Sequence, residues 1–174
     1  TWYDRSGNGK NATLTNLNYN TTPSGWGGSG TVAAPYKVKF DGTNDYATIA
    51  TQAPKAISMW FNMTSCASTC YLFQATSSTY AYISSGVLSV FYNGTTAVAK
   101  MTINASTWNH LVVTNDGTTA IVYLNGIVMG SGPRSAMATS TFYFGSSTTP
   151  NSYFTGSMGV ISTYSTNLTA DDVA

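Results

Sequence analysis

The chain has 174 residues and a mass of 18.4 kDa, enough for one domain with one sizeable core and too little for two. Only 7% of the residues are charged while 43% are hydrophobic, against roughly 25% charged in ordinary soluble domains. The surface must therefore be wetted by hydroxyls and amides, a habit of secreted, cell-surface and virion proteins. Seven basic residues against six acidic ones leave a net charge of +1, which offers no basic face to nucleic acid and no polybasic stretch to a membrane surface.

The opening TWYDRSGNGK lacks the charged and apolar regions of a secretion signal. Nowhere do the roughly 18 consecutive apolar residues of a spanning helix occur, so no membrane insertion is expected within the chain. The chain reads as an internal piece of a longer polypeptide. Residues 1 to 35 are rich in Asn, Thr, Gly and Ser, with Trp2, Tyr3, Leu14, Leu17 and Trp26 as apolar anchors, and are predicted to wrap the core as loop and short strand.

From about Lys37 onward apolar and polar residues alternate in short runs: YKVKF, YATIA, AISMWFNM, YLFQA, AYIS, VLSVFYNG, AVAKMTI, WNHLVVTND, AIVYLNG, TFYFG and MGVISTYS. Ser85-Gly86, Asn93-Gly94, Asp116-Gly117 and Asn125-Gly126 stand between several of them as hairpin turns. About a dozen strands spaced near ten residues apart, with hardly any helical period, predict an all-β sandwich or barrel and exclude a parallel α/β fold. At the end, Thr169 with Asp171 and Asp172 behind it predicts the start of a helix.

Several pieces in order resemble one family. WYDRSGNGKNATLTN is similar to the opening signature of LamG-like (laminin G type) jelly-roll domains of the concanavalin A-like superfamily. VKFDGTNDYATI is similar to their next strand-turn-strand, AISMWFN to a central strand, TWNHLVVTNDGTTAIVYLNG to their long hairpin, and GSMGVISTYSTNLTADDV to the closing strand and helix start. The resemblance implies a single domain over residues 1–174, a jelly roll of two antiparallel sheets with roughly six or seven strands each, and a role in binding glycan, ligand or protein on exteriors. Members begin with a further strand before the WYD segment, so the resemblance also implies that a preceding strand and the rest of the terminal helix lie outside the chain.

The same sandwich carries glucanases, whose chemistry needs two carboxyl groups flanking the scissile bond. The sequence contains no Glu, and its acids are Asp4, Asp41, Asp45, Asp116, Asp171 and Asp172, with no close pair on one strand. We therefore expect no enzyme. His110 is the only histidine, and alternation sets it beside Trp108 and Val112 as a histidine packed in a sheet with a hydrogen-bonded ring nitrogen. Calcium prefers loop carboxylate and amide oxygens, and Asp4 and Asn8 in the first loop, with Asp41 or Asp45 in FDGTNDY, are the candidate ligands. The same residues also suit tight turns.

Trp60, Phe61, Phe73, Phe91, Phe142 and Phe144 alternate within strands and are read as core. Trp26, Tyr36, Tyr80 and Tyr153 lie in or beside loops and are the candidate sugar-stacking residues. Asn11, Asn20, Asn62, Asn93, Asn104 and Asn167 each head an N-glycosylation sequon, although roughly four would arise by chance in so Asn- and Thr-rich a chain. Cys66 and Cys70, an even pair in the polar loop SCASTC, are predicted to form a disulfide. Two thiols without further ligands leave a zinc site half built. Function is expected to be non-catalytic binding or adhesion on a cell or virion exterior, with a glycan or surface component as partner. The alternative is a structural or decoration domain packed against neighbouring subunits.

Overall fold

The computed structural model describes residues 1–18 and 24–174. In chain order its strands are β1 (Ala12–Thr15), β2 (Gly25–Gly27), β3 (Lys37–Asp41), β4 (Tyr46–Gln52), β5 (Ala56–Ser65), β6 (Thr69–Thr76), β7 (Thr79–Ser84), β8 (Val87–Phe91), β9 (Ala99–Thr102), β10 (Trp108–Asn115), β11 (Thr119–Leu124), β12 (Ile127–Pro133), β13 (Ser140–Phe144) and β14 (Thr155–Tyr164), followed by a single helical turn, α1 (Ala170–Val173). They form two antiparallel sheets of seven strands, the first ordered β1-β4-β13-β6-β7-β8-β9 and the second β12-β11-β10-β5-β14-β3-β2. This is the two-sheet jelly-roll sandwich that the resemblance implies, and it falls within the all-β sandwich or barrel that the alternation predicts.

Period-two alternation produces the two faces directly. Along β5, Ile57, Met59, Phe61 and Met63 point into the sandwich while Ser58, Trp60 and Asn62 point out. Along β7, Ala81 and Ile83 are buried and Tyr80 and Tyr82 are half-buried on the opposite side. The inward residues meet in one continuous core containing Phe40, Phe61, Phe73, Phe142, Phe144 and Phe154. Burying each such ring contributes about 1.5–3 kcal/mol.

Two core assignments are corrected by this geometry. Trp60 is 43% exposed, because its neighbour Phe61 takes the inward position and adjacent strand residues face opposite sides. Phe91 is buried, yet it is covered on the outer face of the first sheet, where its ring stacks on Tyr80 at 4.5 Å. Strands β1, β2 and β12 escape the alternation pattern. β12 begins with Ile127, Val128 and Met129, all exposed, and continues through Gly130, Gly132 and Pro133. The Asn125-Gly126 turn recruits it, both residues having positive φ (52° and 80°) and folding the chain back onto β11.

The terminal turn begins at Thr169, as its sequence predicts, and a capping box closes it. The Asp172 carboxylate accepts from Thr169 N–H at 2.8 Å, and the Thr169 hydroxyl accepts from Asp172 N–H at 3.3 Å. It buries Val173 against Val112 and Tyr123 on the outer face of the second sheet. No helix of the described residues is long and apolar enough to cross a membrane.

Cys66 and Cys70 are disulfide-bonded across the connection from β5 to β6. A ring this short constrains the unfolded chain only modestly, so replacing both cysteines by Ser should lower stability by about 2 kcal/mol, seen as a lower denaturation midpoint. Thiol labelling of the unfolded, unreduced chain should find none free, and two reactive thiols would contradict the pairing.

Candidate ligand-binding face

The outer face of the first sheet carries two rows of side chains that cross its strands. Register sets Tyr143 of β13 beside Gln74 of β6, Gln74 beside Tyr80 of β7, and Tyr80 beside Phe91 of β8. The second row sets Tyr71 of β6 beside Tyr82 of β7, then Ser89 of β8 and Lys100 of β9. Tyr80 and Tyr82 are stacked with centroids 6.0 Å apart, Tyr71 lies 5.9 Å from Tyr80 and 5.8 Å from Tyr82, and Tyr46 stacks on Tyr143 at 6.0 Å.

The face is apolar in its rings and polar at its rim. Burial, and then the neighbouring Tyr80 and Tyr82 phenols, raise the pKa of Tyr71, and burial followed by Tyr82 raises that of Tyr80. Both phenols stay neutral hydrogen-bonding groups near neutrality. Gln74 anchors the segment between β13 and β14 to this sheet, its Oε1 accepting from Thr148 N–H at 2.9 Å and its Nε2 donating to Thr76 O at 3.0 Å. Tyr71 N–H donates to Ser152 O in the same segment.

Of the four stacking residues expected from sequence, Tyr80 lies in the centre of this face. Tyr153 belongs to the segment that Gln74 and Tyr71 hold, its hydroxyl donating to Pro150 O at 2.8 Å. Trp26 and Tyr36 lie elsewhere, on and just before the β2–β3 pair. Trp26 packs edge-on to Trp2 at 5.9 Å, and Tyr36 is 63% exposed. Tyr71, Tyr82, Tyr143 and Tyr46 were not singled out by sequence reading. Their alternation with buried neighbours was visible, but which strands would lie side by side was not.

The four candidate calcium ligands fall into two groups. Asp4 closes the first loop by accepting from Ser6 N–H (2.8 Å) and Lys10 N–H (2.9 Å), and Asn8 donates to Ser6 Oγ. That loop borders a groove beside Gln52 and Pro54, whereas Asp45 immediately precedes the opposite end of β4. Seven strand residues separate the two places by roughly 20 Å, so the four do not form one site. Asp45 is fully buried: one carboxylate oxygen accepts from Asp41 N–H at 2.9 Å and the other has no partner among the described residues. Burial raises the Asp45 pKa and the Asp41 charge adds to it, while the bond from Asp41 N–H and the nearby Ser24 hydroxyl oppose the rise. The described residues contain no group of three His, Cys, Asp or Glu side chains fit to hold a metal.

The sequons differ in availability. Asn104 and Asn167 are exposed. Asn11 is exposed, with its Oδ1 accepting from Asp4 N–H. Asn93 is half-buried, its amide nitrogen donating to Ser135 and Ala136, and Asn62 is half-buried on β5. Asn20 lies outside the described residues.

On the outer face of the second sheet His110 stacks on Trp60, with centroids 4.7 Å apart and planes 8° from parallel, and its Nε2 lies 2.8 Å from Ser58 Oγ. The six acids lie in the first loop, in and beside the β3–β4 turn, in the β10–β11 turn and in α1, so none sits on the strands that carry this pair or the two tyrosine rows.

Residues 27–174 match the family model of the concanavalin A-like lectin/glucanases superfamily. Among solved structures, domain 4 of AbnA, a GH43 extracellular arabinanase from Geobacillus stearothermophilus solved with arabinotriose, is 16% identical with a TM-score of 0.68, covering 97% of this chain and 89% of that one. The binding domain of botulinum neurotoxin DC in complex with SialylT is 12% identical at 0.68, covering 98% of this chain but 46% of that one. A SAP-like pentraxin from Limulus polyphemus is 16% identical at 0.64, covering 79% of each chain. No curated protein matches the sequence.

Burial lowers the pKa of His110 below its ordinary 6.5. As pH falls through about 6.5 the unfolded chain takes up this proton before the folded one does. The stability tied to neutral His110 is therefore complete above that pH and lost as the pH falls through the folded pKa. Denaturation midpoints measured between pH 8 and 5 should show this loss, and His110→Gln should remove it. Equal pH dependence in the two proteins would contradict the assignment.

Proposed function

Because the chain belongs to the concanavalin A-like lectin/glucanase superfamily, we propose that it is a non-catalytic glycan-binding module whose ligand lies across the tyrosine rows of the first sheet. The observation that carries this reading is the lateral register placing Tyr143, Tyr80 and Phe91 in one row and Tyr71 and Tyr82 in the next. Sugar rings have apolar faces that stack on such phenols and hydroxyls that bond to their oxygens and to amide and serine groups at the rim. Similar folds bind arabinotriose in the arabinanase domain and SialylT in the toxin domain, which supports a saccharide as the ligand class. The six carboxylates all lie off the strands of these rows, which supports binding without cleavage.

Low charge, hydroxyl-rich composition and a disulfide support an extracellular setting, on a cell surface or a virion exterior. Modest affinity per site would be multiplied by many copies on one surface. Packing against neighbouring subunits has one observation of its own: β12 is an edge strand opening with Ile127 (67% exposed), Val128 (54%) and Met129 (38%), with no charged residue in it.

For calcium the reading narrows to the turn between Asp41 and Asp45, because the unpartnered buried oxygen of Asp45 is the donor there that a cation would satisfy. A site filled at a hundredfold excess over its Kd would add about 2.7 kcal/mol. The melting temperature should rise from chelator to millimolar calcium in the parent and stay unchanged in Asp45→Asn. An unchanged parent would remove calcium from the account.

A panel of arabino-, sialyl- and neutral oligosaccharides, screened on an array and then titrated by calorimetry, tests the main reading. Tyr80→Ala and Tyr82→Ala should each weaken binding roughly five- to tenfold, as loss of one stacking contact implies, while unfolding midpoints stay near the parent's. No reducing sugar should be released. Variants that bind as the parent does would refute the site, and loss of surface attachment confined to Val128→Lys would shift the reading to subunit packing.

A further inference from the structure

Seven strands make up the first sheet, and among their residues Lys100 is the only one with a formal charge. The alternation of β9 turns it outward: Ala99 and Met101 are buried and Lys100 is exposed. Register then sets Lys100 at the end of the second tyrosine row, beside Ser89, with Tyr82 and Tyr71 following in turn. A lysine on an edge strand ordinarily guards it against pairing with another chain, and β9 is the last strand of its sheet. Here that edge is already covered. Gly130 of β12 backs onto it so closely that a Cβ there would collide with Val98 O and Ala99.

The row has the dimensions of a short saccharide. Strands lie about 4.8 Å apart, close to the length of one pyranose residue in an extended chain, so a chain laid across the sheet places one residue over each of β6, β7, β8 and β9. The four positions differ in chemistry. Tyr71 and Tyr82, with centroids 5.8 Å apart, offer ring faces. Ser89 is small and only 4% exposed, and Lys100 roots an ammonium group about 14 Å from the strand of Tyr71. A carboxylate or sulfate on the residue over β9 finds its counter-charge there, and no acid on these strands opposes it. Negative charge over β6 or β7 would instead be taken from water onto phenol rings with no cation beside it.

We propose that the ligand of the tyrosine face is an anionic saccharide, with neutral residues stacked on Tyr71 and Tyr82 and a single acidic residue at the end that reaches Lys100. The inference rests on the reading of that face as the saccharide site, and adds to it the class of saccharide and the position of its charge. Lysine suits the task, because its ammonium is a compact charge on a flexible stem and can follow either a carboxylate or a sulfate. The acid is terminal because β9 is the last strand, so the residue over it is the last that the sheet can hold.

Three probes test it by calorimetry: the neutral tetrasaccharide that binds best on the array, the same chain ending in one hexuronate, and the same chain ending in one sulfated residue. At low ionic strength an acidic form should bind roughly two- to fivefold more tightly than the neutral one, as an exposed ion pair implies. That advantage should vanish as salt is raised to about 1 M. A gain confined to one acidic form identifies the anion. Lys100→Gln should bring the acidic form down to the affinity of the neutral one, Lys100→Arg should keep most of the gain, and Tyr82→Ala should weaken acidic and neutral forms by the same factor. The outcomes separate the two readings. If no saccharide binds, or if Tyr82→Ala changes nothing, the tyrosine face is not the site and this inference falls with it. If saccharides bind through Tyr82 but acidic and neutral forms bind alike, or the preference survives in Lys100→Gln, the face stands and the anionic ligand is overturned.

Discussion

Almost everything in this molecule depends on one requirement, that the inward half of each strand be buried against the opposite sheet. Phe40, Phe61 and Phe154 from one side meet Phe73, Phe142 and Phe144 from the other, and these rings hold two sheets that have little else to hold them. Ion pairs cannot contribute much with so few charges. Once Phe142 and Phe144 point inward, Tyr143 must point outward, and the same argument sets Tyr80 and Tyr82 around Ala81. The ligand-binding face is the outward remainder of the core pattern.

That logic also marks how far the sequence could be read. Alternation was enough for an all-β sandwich or barrel and its main strands, and local turn and cap residues for the hairpin turns and the terminal helix start, because each depends on residues close in sequence. It failed where a decision rested on the neighbouring strand. Trp60 and Phe61 are equally apolar, and only packing decides which is buried. β12 has no alternation at all and exists because the Asn125-Gly126 turn delivers it to β11. The tyrosine rows draw on β13, β6, β7 and β8, which are adjacent in space in an order that differs from their order in the chain. The four candidate calcium residues divide in the structure as they do in the sequence: Asp4 and Asn8 lie in the first loop, and Asp41 and Asp45 at the turn between β3 and β4.

The few polar groups placed inside are mostly satisfied locally, which explains why so weakly charged a chain can still fix its loops. Asn109 donates to Thr107 O at 3.0 Å, Asn115 accepts from Gly117 N–H at 2.8 Å and donates to Arg134 O at 2.9 Å, and Gln74 accepts from Thr148 N–H at 2.9 Å. Asp45, Gln52 and Arg134 are the exceptions, each with a buried atom unpartnered among the described residues. The first two sit at opposite ends of β4. In a structure otherwise this thrifty with buried polarity, unpaired atoms point to a missing partner rather than to tolerance.

The groove beside the first loop and the tyrosine face are separate, but they share a strand. Phe144 lines the groove, and its neighbour Tyr143 begins the first tyrosine row while stacking on Tyr46 of β4. Ile49, also of β4, lines the groove as well. Packing of Phe144 and Ile49 along the groove therefore bears on how β4 and β13, the two strands that carry Tyr46 and Tyr143, present those rings to the ligand face.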